Sequence, residues 1–197
     1  MKTYIVKKVN STPTEKDWEN ANVAEIERAP WSDAVFPYTM QARLLHSDDA
    51  LFVNLITNEK HLRAVYNNRN DEVCEDSCME FFIAPDEYDV RYMNFEINPL
   101  GTLLAYVCNE RITMEPDTTD DSVFDIKSII TKDSWQLTYQ IPYSVFLKHF
   151  KNVSKEMTGN FFKCGEKTDI SHYGCWNPVD VENDFHIKRC FGKIILE

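Results

Sequence analysis

Cys78-Met79-Glu80-Phe81-Phe82-Ile83-Ala84 and, shortly after it, Tyr92-Met93-Asn94-Phe95-Glu96-Ile97-Asn98 both alternate with a period of two. In the first, Met79, Phe81 and Ile83 share one face, and Cys78, Glu80 and Phe82 share the other. In the second, Met93, Phe95 and Ile97 oppose Tyr92, Asn94, Glu96 and Asn98. Successive side chains of a strand point to opposite sides of its sheet, so each segment reads as a strand with one apolar face. Trp135–Ile141 repeats the pattern, with Trp135, Leu137, Tyr139 and Ile141 set against Gln136, Thr138 and Gln140.

Working outward, Thr3–Val9, Thr39–His46, Ala50–Thr57, Gly101–Cys108, Val123–Ile130 and Phe191–Leu196 add further strand-like runs. Ser47-Asp48-Asp49, Pro99-Leu100 and Thr131-Lys132-Asp133-Ser134 supply turns between them, and Pro85 ends the Cys78–Ala84 run. Thr14, with Asp17 three residues on, opens a short helix through Trp18–Ile26. Pro142–Phe150 fits a second, burying Phe146, Leu147 and Phe150. The predicted fold class is all-β: an antiparallel two-sheet β-sandwich with one or two short helices, residues 1–197 forming one domain. The most loop-like stretch is Asn109–Asp121.

The chain has 197 residues, 43% hydrophobic and 13% aromatic, with 21 Lys+Arg against 32 Asp+Glu for a formal charge of −11. That length and apolar content support one substantial core. The acidity argues against nucleic acid or an anionic membrane as partner, and no apolar run approaches the ~18 residues of a membrane span. Met1–Val9 has no apolar stretch of signal-peptide length, which makes a cytoplasmic location the default and a secreted one the expectation if a leader has been removed. Cys74, Cys78, Cys108, Cys164, Cys175 and Cys190 read as reduced, small buried hydrophobes.

The polar faces of these strands carry amides, a carboxylate and, at Arg43 beside Gln41, a guanidinium. Such a face suits a neutral polyhydroxylated ligand, whose hydroxyls both donate and accept. It equally describes the solvated outside of a sandwich. Most carboxylates fall in turns such as Asp86–Asp89 and Glu115–Asp121, so the acidity reads as a solvated rim.

Three stretches carry a family resemblance: Glu75-Asp76-Ser77-Cys78-Met79-Glu80-Phe81-Phe82; Asn94-Phe95-Glu96-Ile97-Asn98-Pro99-Leu100-Gly101; and Asn160–Gly165 with His172-Tyr173-Gly174-Cys175-Trp176-Asn177-Pro178, Phe185-His186 and Phe191-Gly192. In this order they are similar to the family 9 carbohydrate-binding modules and their DOMON-like relatives. The resemblance implies an antiparallel sandwich that binds sugars in carbohydrate breakdown, often beside a glycoside hydrolase, here one encoded nearby, and sometimes with structural calcium. It also implies a terminal sugar gripped between two tryptophans with an acidic side chain and amides. Trp176 matches the C-terminal tryptophan and Glu80 the acid, whereas Cys74 stands where the other tryptophan is expected.

The candidate ligand-binding residues are therefore Trp176 on a loop, its neighbours His172, Tyr173 and Asn177, then Glu80 with Arg43, and Trp31 as replacement for the missing tryptophan. No cofactor is required. Oxygen clusters at Asp117, Asp120 and Asp121, or at Asp86, Glu87 and Asp89, are the calcium candidates. Short spacings among Cys164, His172, Cys175, His186 and Cys190 are weaker zinc candidates. The resulting expectation is non-catalytic carbohydrate binding. One alternative is a glycoside-processing enzyme using Glu80 and Glu96 as its carboxyl pair. Another is a structural or interaction sandwich whose sugar site has decayed at Cys74.

Overall fold

A computed structural model describes the chain except for residues 34–35, 111–112 and 182–183. The elements run β1 (Thr3–Lys8), α1 (Glu15–Asn20), β2 (Ala24–Arg28), β3 (Met40–His46), β4 (Ala50–Thr57), β5 (Cys78–Ala84), β6 (Tyr92–Ile97) and β7 (Leu103–Asn109). Then come β8 (Thr113–Pro116), β9 (Lys127–Ile130), β10 (Trp135–Pro142), α2 (Tyr143–His149), β11 (Glu156–Gly165), β12 (His172–Cys175) and β13 (Gly192–Leu196).

One layer has the order β8-β7-β6-β5-β11-β12, and the other β2-β3-β4-β10-β9. The far edge of β11 is shared: Glu156–Gly159 pair with β13 and Phe162–Gly165 with β12. Two strands join the layers. β2 gives Ala24–Ile26 to β3 and Glu27–Arg28 to β12. β1 runs parallel to both its partners, with Thr3–Val6 on β13 and Lys7–Lys8 on β3. The sandwich is thus antiparallel apart from β1. No helix among the described residues is long and apolar enough to cross a membrane.

The core lies where the alternating faces meet. Met79, Phe81, Ile83, Met93, Phe95 and Ile97 from one layer pack on Trp135, Leu137, Tyr139 and Ile141 from the other. Each such side chain contributes about 1.5–3 kcal/mol on burial. Gly159 holds β11 close to β5, since a Cβ there would meet the Phe82 carbonyl oxygen at 2.6 Å.

Local chemistry corrects several boundaries. Thr14 and Asp17 form a capping box that starts α1, as expected. The helix stops at Asn20, however, and Ala24 and Ile26 turn inward as alternate residues of β2. In the second helix Val145 and Phe146 are buried, but Leu147 is 55% exposed. The expected Val123–Ile130 strand divides into a 3₁₀ turn, Asp121–Phe124, and the shorter β9, because Asp125 adopts a positive φ of 46°. Within Asn109–Asp121 the chain forms β8, and residues 111–112 lie outside the described ones.

The larger correction concerns the outer face of the β5–β6–β11 layer. It is not solvated. Ala29 and Trp31, with Val179, Val181, Phe185, Ile187, Cys190 and Phe191, fold over Phe82, Tyr92 and Phe162, making a second apolar cluster outside the main core.

Candidate functional site

Sheet register places the polar side chains of that face. Leu104, Glu96, Glu80, Phe162 and Cys175 form one row across β7, β6, β5, β11 and β12. Cys78, Cys164 and Tyr173 form the row on one side of it, and Tyr106, Asn94, Phe82 and Asn160 the row on the other. Glu80 and Glu96 are therefore direct cross-strand partners, whose Cβ atoms sit about 4.5–5.5 Å apart in such a pair.

Where the covering segments leave the sheet open, a cavity of about 460 Å³ remains. Glu80, Glu96, Leu104 and Cys164 form its floor, Trp31, Tyr106, Tyr173 and Phe185 its aromatic walls, and Glu72, Cys74, Glu166 and Asp184 also line it. The aromatic wall is a packed unit. Phe185 stacks on Phe162 at 4.2 Å, and Trp31 leans on Tyr173 at 5.2 Å and on Phe185 at 5.9 Å between ring centroids. The indole N–H of Trp31 is buried with no partner among the described residues. Tyr92 and His186 close the far side through a 2.8 Å hydrogen bond.

The floor is electrostatically costly. Glu80 and Glu96 are 2% and 5% exposed. The Glu80 carboxylate accepts from the Cys164 thiol at 2.7 Å, and the Glu96 carboxylate from the Asn94 amide at 2.7 Å. Burial pushes the Glu80 carboxyl up to about 7. Burial, with the Glu80 charge opposite, pushes Glu96 well above the ordinary carboxylate range. The acidity is thus not confined to a solvated rim, because five carboxylates line this cavity.

Behind the cavity, Asp76 organises the wall that carries Glu72 and Cys74. Its Oδ2 accepts from the backbone N–H groups of Val65 and Tyr66 and from the Asn98 amide, and its Oδ1 lies 3.4 Å from Arg63 Nε. The polar residues of the family-like stretches divide accordingly, Glu80 and Glu96 to the cavity, Asp76 and Asn98 to its scaffold.

Three sequence candidates, Glu80, Tyr173 and Trp31, come together with Glu96. Trp176 does not join them. It is 5% exposed, packs edge-on against Tyr4 and Phe161, and lies over Gly192, where a Cβ would come within 2.4 Å of its ring. His172 is fully buried, with Lys163 Nζ 2.8 Å from its Nε2 and Glu59 paired to the same lysine at 2.7 Å. Asn177 is 7% exposed and donates to the Cys190 carbonyl while accepting from the Lys2 backbone N–H. Arg43 hydrogen-bonds Gln41 on the outside of the opposite layer, across the core from Glu80. Alternation along His172–Trp176 explains the division, since Tyr173 and Cys175 face the cavity side while His172 and Trp176 face the core.

Nothing in the sequence pattern marks Phe185 or Tyr106 as a site residue. Phe185 sits in a covering segment without periodicity, and Tyr106 shares a strand with apolar neighbours that mask its face.

The calcium candidates serve the chain itself. Asp117 and Asp121 share the Arg69 guanidinium, Asp117 also meets His149 at 2.9 Å, and Asp120 caps Ser122. Arg91 holds Asp89 down to about 2. Asp117, Asp121 and Asp89, each already paired with a guanidinium, are poor ligands for a hard cation. Of the zinc candidates, His172 lies on the core side, while Cys175 and Cys190 pack in the second apolar cluster.

Flat aromatic rings standing over oxygen acceptors in a cleft of this size on a β-sandwich have the chemistry a carbohydrate site uses. The comparison with known families agrees: the carbohydrate-binding family 9 model matches residues 10–196, and the chain belongs to that family. Among solved structures, a candidate carbohydrate-binding protein from Bacteroides uniformis ATCC 8492 is 28% identical, with a TM-score of 0.88 over 100% of this chain and 99% of that one. A family 9 module from Caldicellulosiruptor kristjanssonii in complex with cellotriose shares the fold at 16% identity and a TM-score of 0.68, covering 100% of this chain and 94% of that one. Its complex with glucose gives 15% and 0.65, covering 100% and 96%. No curated protein sequence matches the chain.

Proposed function

We propose that this chain binds a carbohydrate, without covalent chemistry, in the cavity between the Trp31–Tyr173–Phe185 wall and the Glu80–Glu96 floor. The carrying observation is that the two chemistries a sugar requires meet in one cleft. The CH-rich face of a pyranose packs on aromatic rings, while its hydroxyls find carboxyl oxygens beneath. A cavity of about 460 Å³ suits one or two sugar units rather than a long chain lying across the surface.

In this reading Trp31 takes the place of the tryptophan whose position is held by Cys74. Both residues line the same cavity, so a small side chain at 74 leaves room for an indole arriving from the N-terminal segment. The second wall is Tyr173 with Phe185 rather than Trp176.

Calorimetric titration with cello-, xylo- and galacto-oligosaccharides tests the proposal. Saturable binding to at least one series, with no release of chromophore from the matching aryl glycosides, is the expected outcome. Silence across the panel contradicts it. Turnover lost in Glu80→Gln would instead assign the carboxyl pair to catalysis.

A further inference from the structure

Cys78 and Cys164 are direct cross-strand partners on β5 and β11, and they share a face with Glu80. One sulfur from each cysteine and one carboxylate oxygen of Glu80 all lie within 4.8 Å of one another, and all three residues are buried. Cys164 and Glu80 belong to the cavity floor, so the cluster has an entry path from solvent.

We propose that Cys78, Cys164 and Glu80 form a binding site for a thiophilic divalent cation of the zinc class, with its fourth position open to the cavity. Two sulfurs and one oxygen are a donor set that zinc accepts, at about 2.3 Å for sulfur and about 2.0–2.2 Å for carboxylate oxygen. The donors already cluster at the span of one ion: the Cys164 sulfur is 2.7 Å from a Glu80 oxygen, and both sulfurs and a carboxylate oxygen lie within 4.8 Å of one another. Loss of their hydrogen bond lets the Cys164 sulfur and the Glu80 oxygen part to the ~3.5 Å that tetrahedral bonds of these lengths require, while the Cys78 sulfur closes in. Three protein ligands and a water entering from the cavity give tetrahedral coordination. Hard cations such as calcium avoid two sulfurs, which separates this site from the oxygen clusters in the loops.

The surroundings favour a cation. Glu96 stands opposite Glu80 in the same cavity, and Cys74 also reaches the cavity. Two protons leave as one dication enters, so the net charge is unchanged, and what the ion supplies is direct coordination of a Glu80 carboxylate that otherwise has one thiol as its hydrogen-bond donor. In binding, the two thiols lose their protons to solvent and both sulfurs coordinate as thiolates, while the Cys164 hydrogen bond to Glu80 is replaced by two bonds to the metal. Affinity therefore rises with pH.

The site shares Glu80 and the cavity with the proposed sugar site, but its argument does not rest on sugar binding and its test uses no sugar. Titrating the full, reduced chain with cobalt(II) under anaerobic conditions should produce a thiolate-to-cobalt charge-transfer band and tetrahedral visible bands, saturating at one equivalent and bleached by zinc. Cys78→Ser and Cys164→Ser should each lose the charge-transfer intensity, Glu80→Gln should weaken binding at least tenfold, and Cys190→Ser should match the parent. Should a serine variant fail to fold by circular dichroism, zinc protection of two thiols from alkylation in the parent chain gives the same answer. A parent chain that shows neither a charge-transfer band nor thiol protection overturns the proposal. So does a band that survives in folded Cys78→Ser.

Discussion

His172 shows how one residue's surroundings set its role. Its Nδ1 lies 2.7 Å from the Ile170 carbonyl oxygen, which makes Nδ1 the protonated nitrogen and leaves Nε2 to accept from Lys163. Lys163 from β11 and Glu59 from the loop after β4 are the charged groups facing it, and the Tyr38 ring packs edge-on at 4.9 Å. Burial first, and then the Lys163 charge, lower its pKa from 6.5 to about 4. The unfolded chain therefore binds a proton between those values that the folded chain refuses, so stability is present above pH 6.5 and is lost as pH falls towards 4. The expected contribution is on the order of 3 kcal/mol. Because the raised Glu80 and Glu96 carboxyls protonate in the same window and act in the opposite sense, the readout is a difference: the denaturant midpoint of the parent relative to His172→Gln should fall from pH 7 to pH 4, and parallel slopes would refute this assignment. A histidine next to a tyrosine and four residues before a tryptophan in a family-like stretch reads as a ligand contact. Only the sheet register reveals that it faces the core.

At the scale of elements, alternation was legible wherever one face was uniformly apolar, as in β5, β6 and β10. It failed for β11. Gly159, Asn160 and Lys163 interrupt that strand's apolar set, and each is explained only by partners distant in sequence. Gly159 allows close approach to β5, Asn160 fixes the chain at Asn177 through two 2.8 Å hydrogen bonds, and Lys163 neutralises Glu59. The segment between β4 and β5 is similar, since nothing local announces that Asp76 will gather Val65, Tyr66 and Asn98. Because Asp76 is fully buried and its removal strands several donors, Asp76→Ala should cost about 3–5 kcal/mol. It should also weaken ligand binding by loosening the wall with Glu72 and Cys74. Thermal melts and calorimetry on the same variant check both effects, and a variant as stable as the parent would show that the loop is held by other contacts.

For the whole molecule, the sandwich and its main core follow from composition and period-two patterning, but the site follows from what covers one face. The segments carrying Trp31 and Phe185 have no period of their own, and they convert the outside of a sheet into a walled cavity. That explains why Glu80, Glu96, Tyr173 and Trp31 are legible in the sequence, while Trp176 reads as the main platform and Phe185 gives no signal. The decisive comparison is between the two tryptophans. Calorimetry with the best ligand of the oligosaccharide panel should show affinity reduced at least about tenfold in Trp31→Ala, equivalent to ~1.4 kcal/mol. In folded Trp176→Phe it should stay within about twofold, equivalent to ~0.4 kcal/mol. Equal affinity in Trp31→Ala and the parent, or loss confined to Trp176→Phe, would contradict the assignment of the binding site to this cavity.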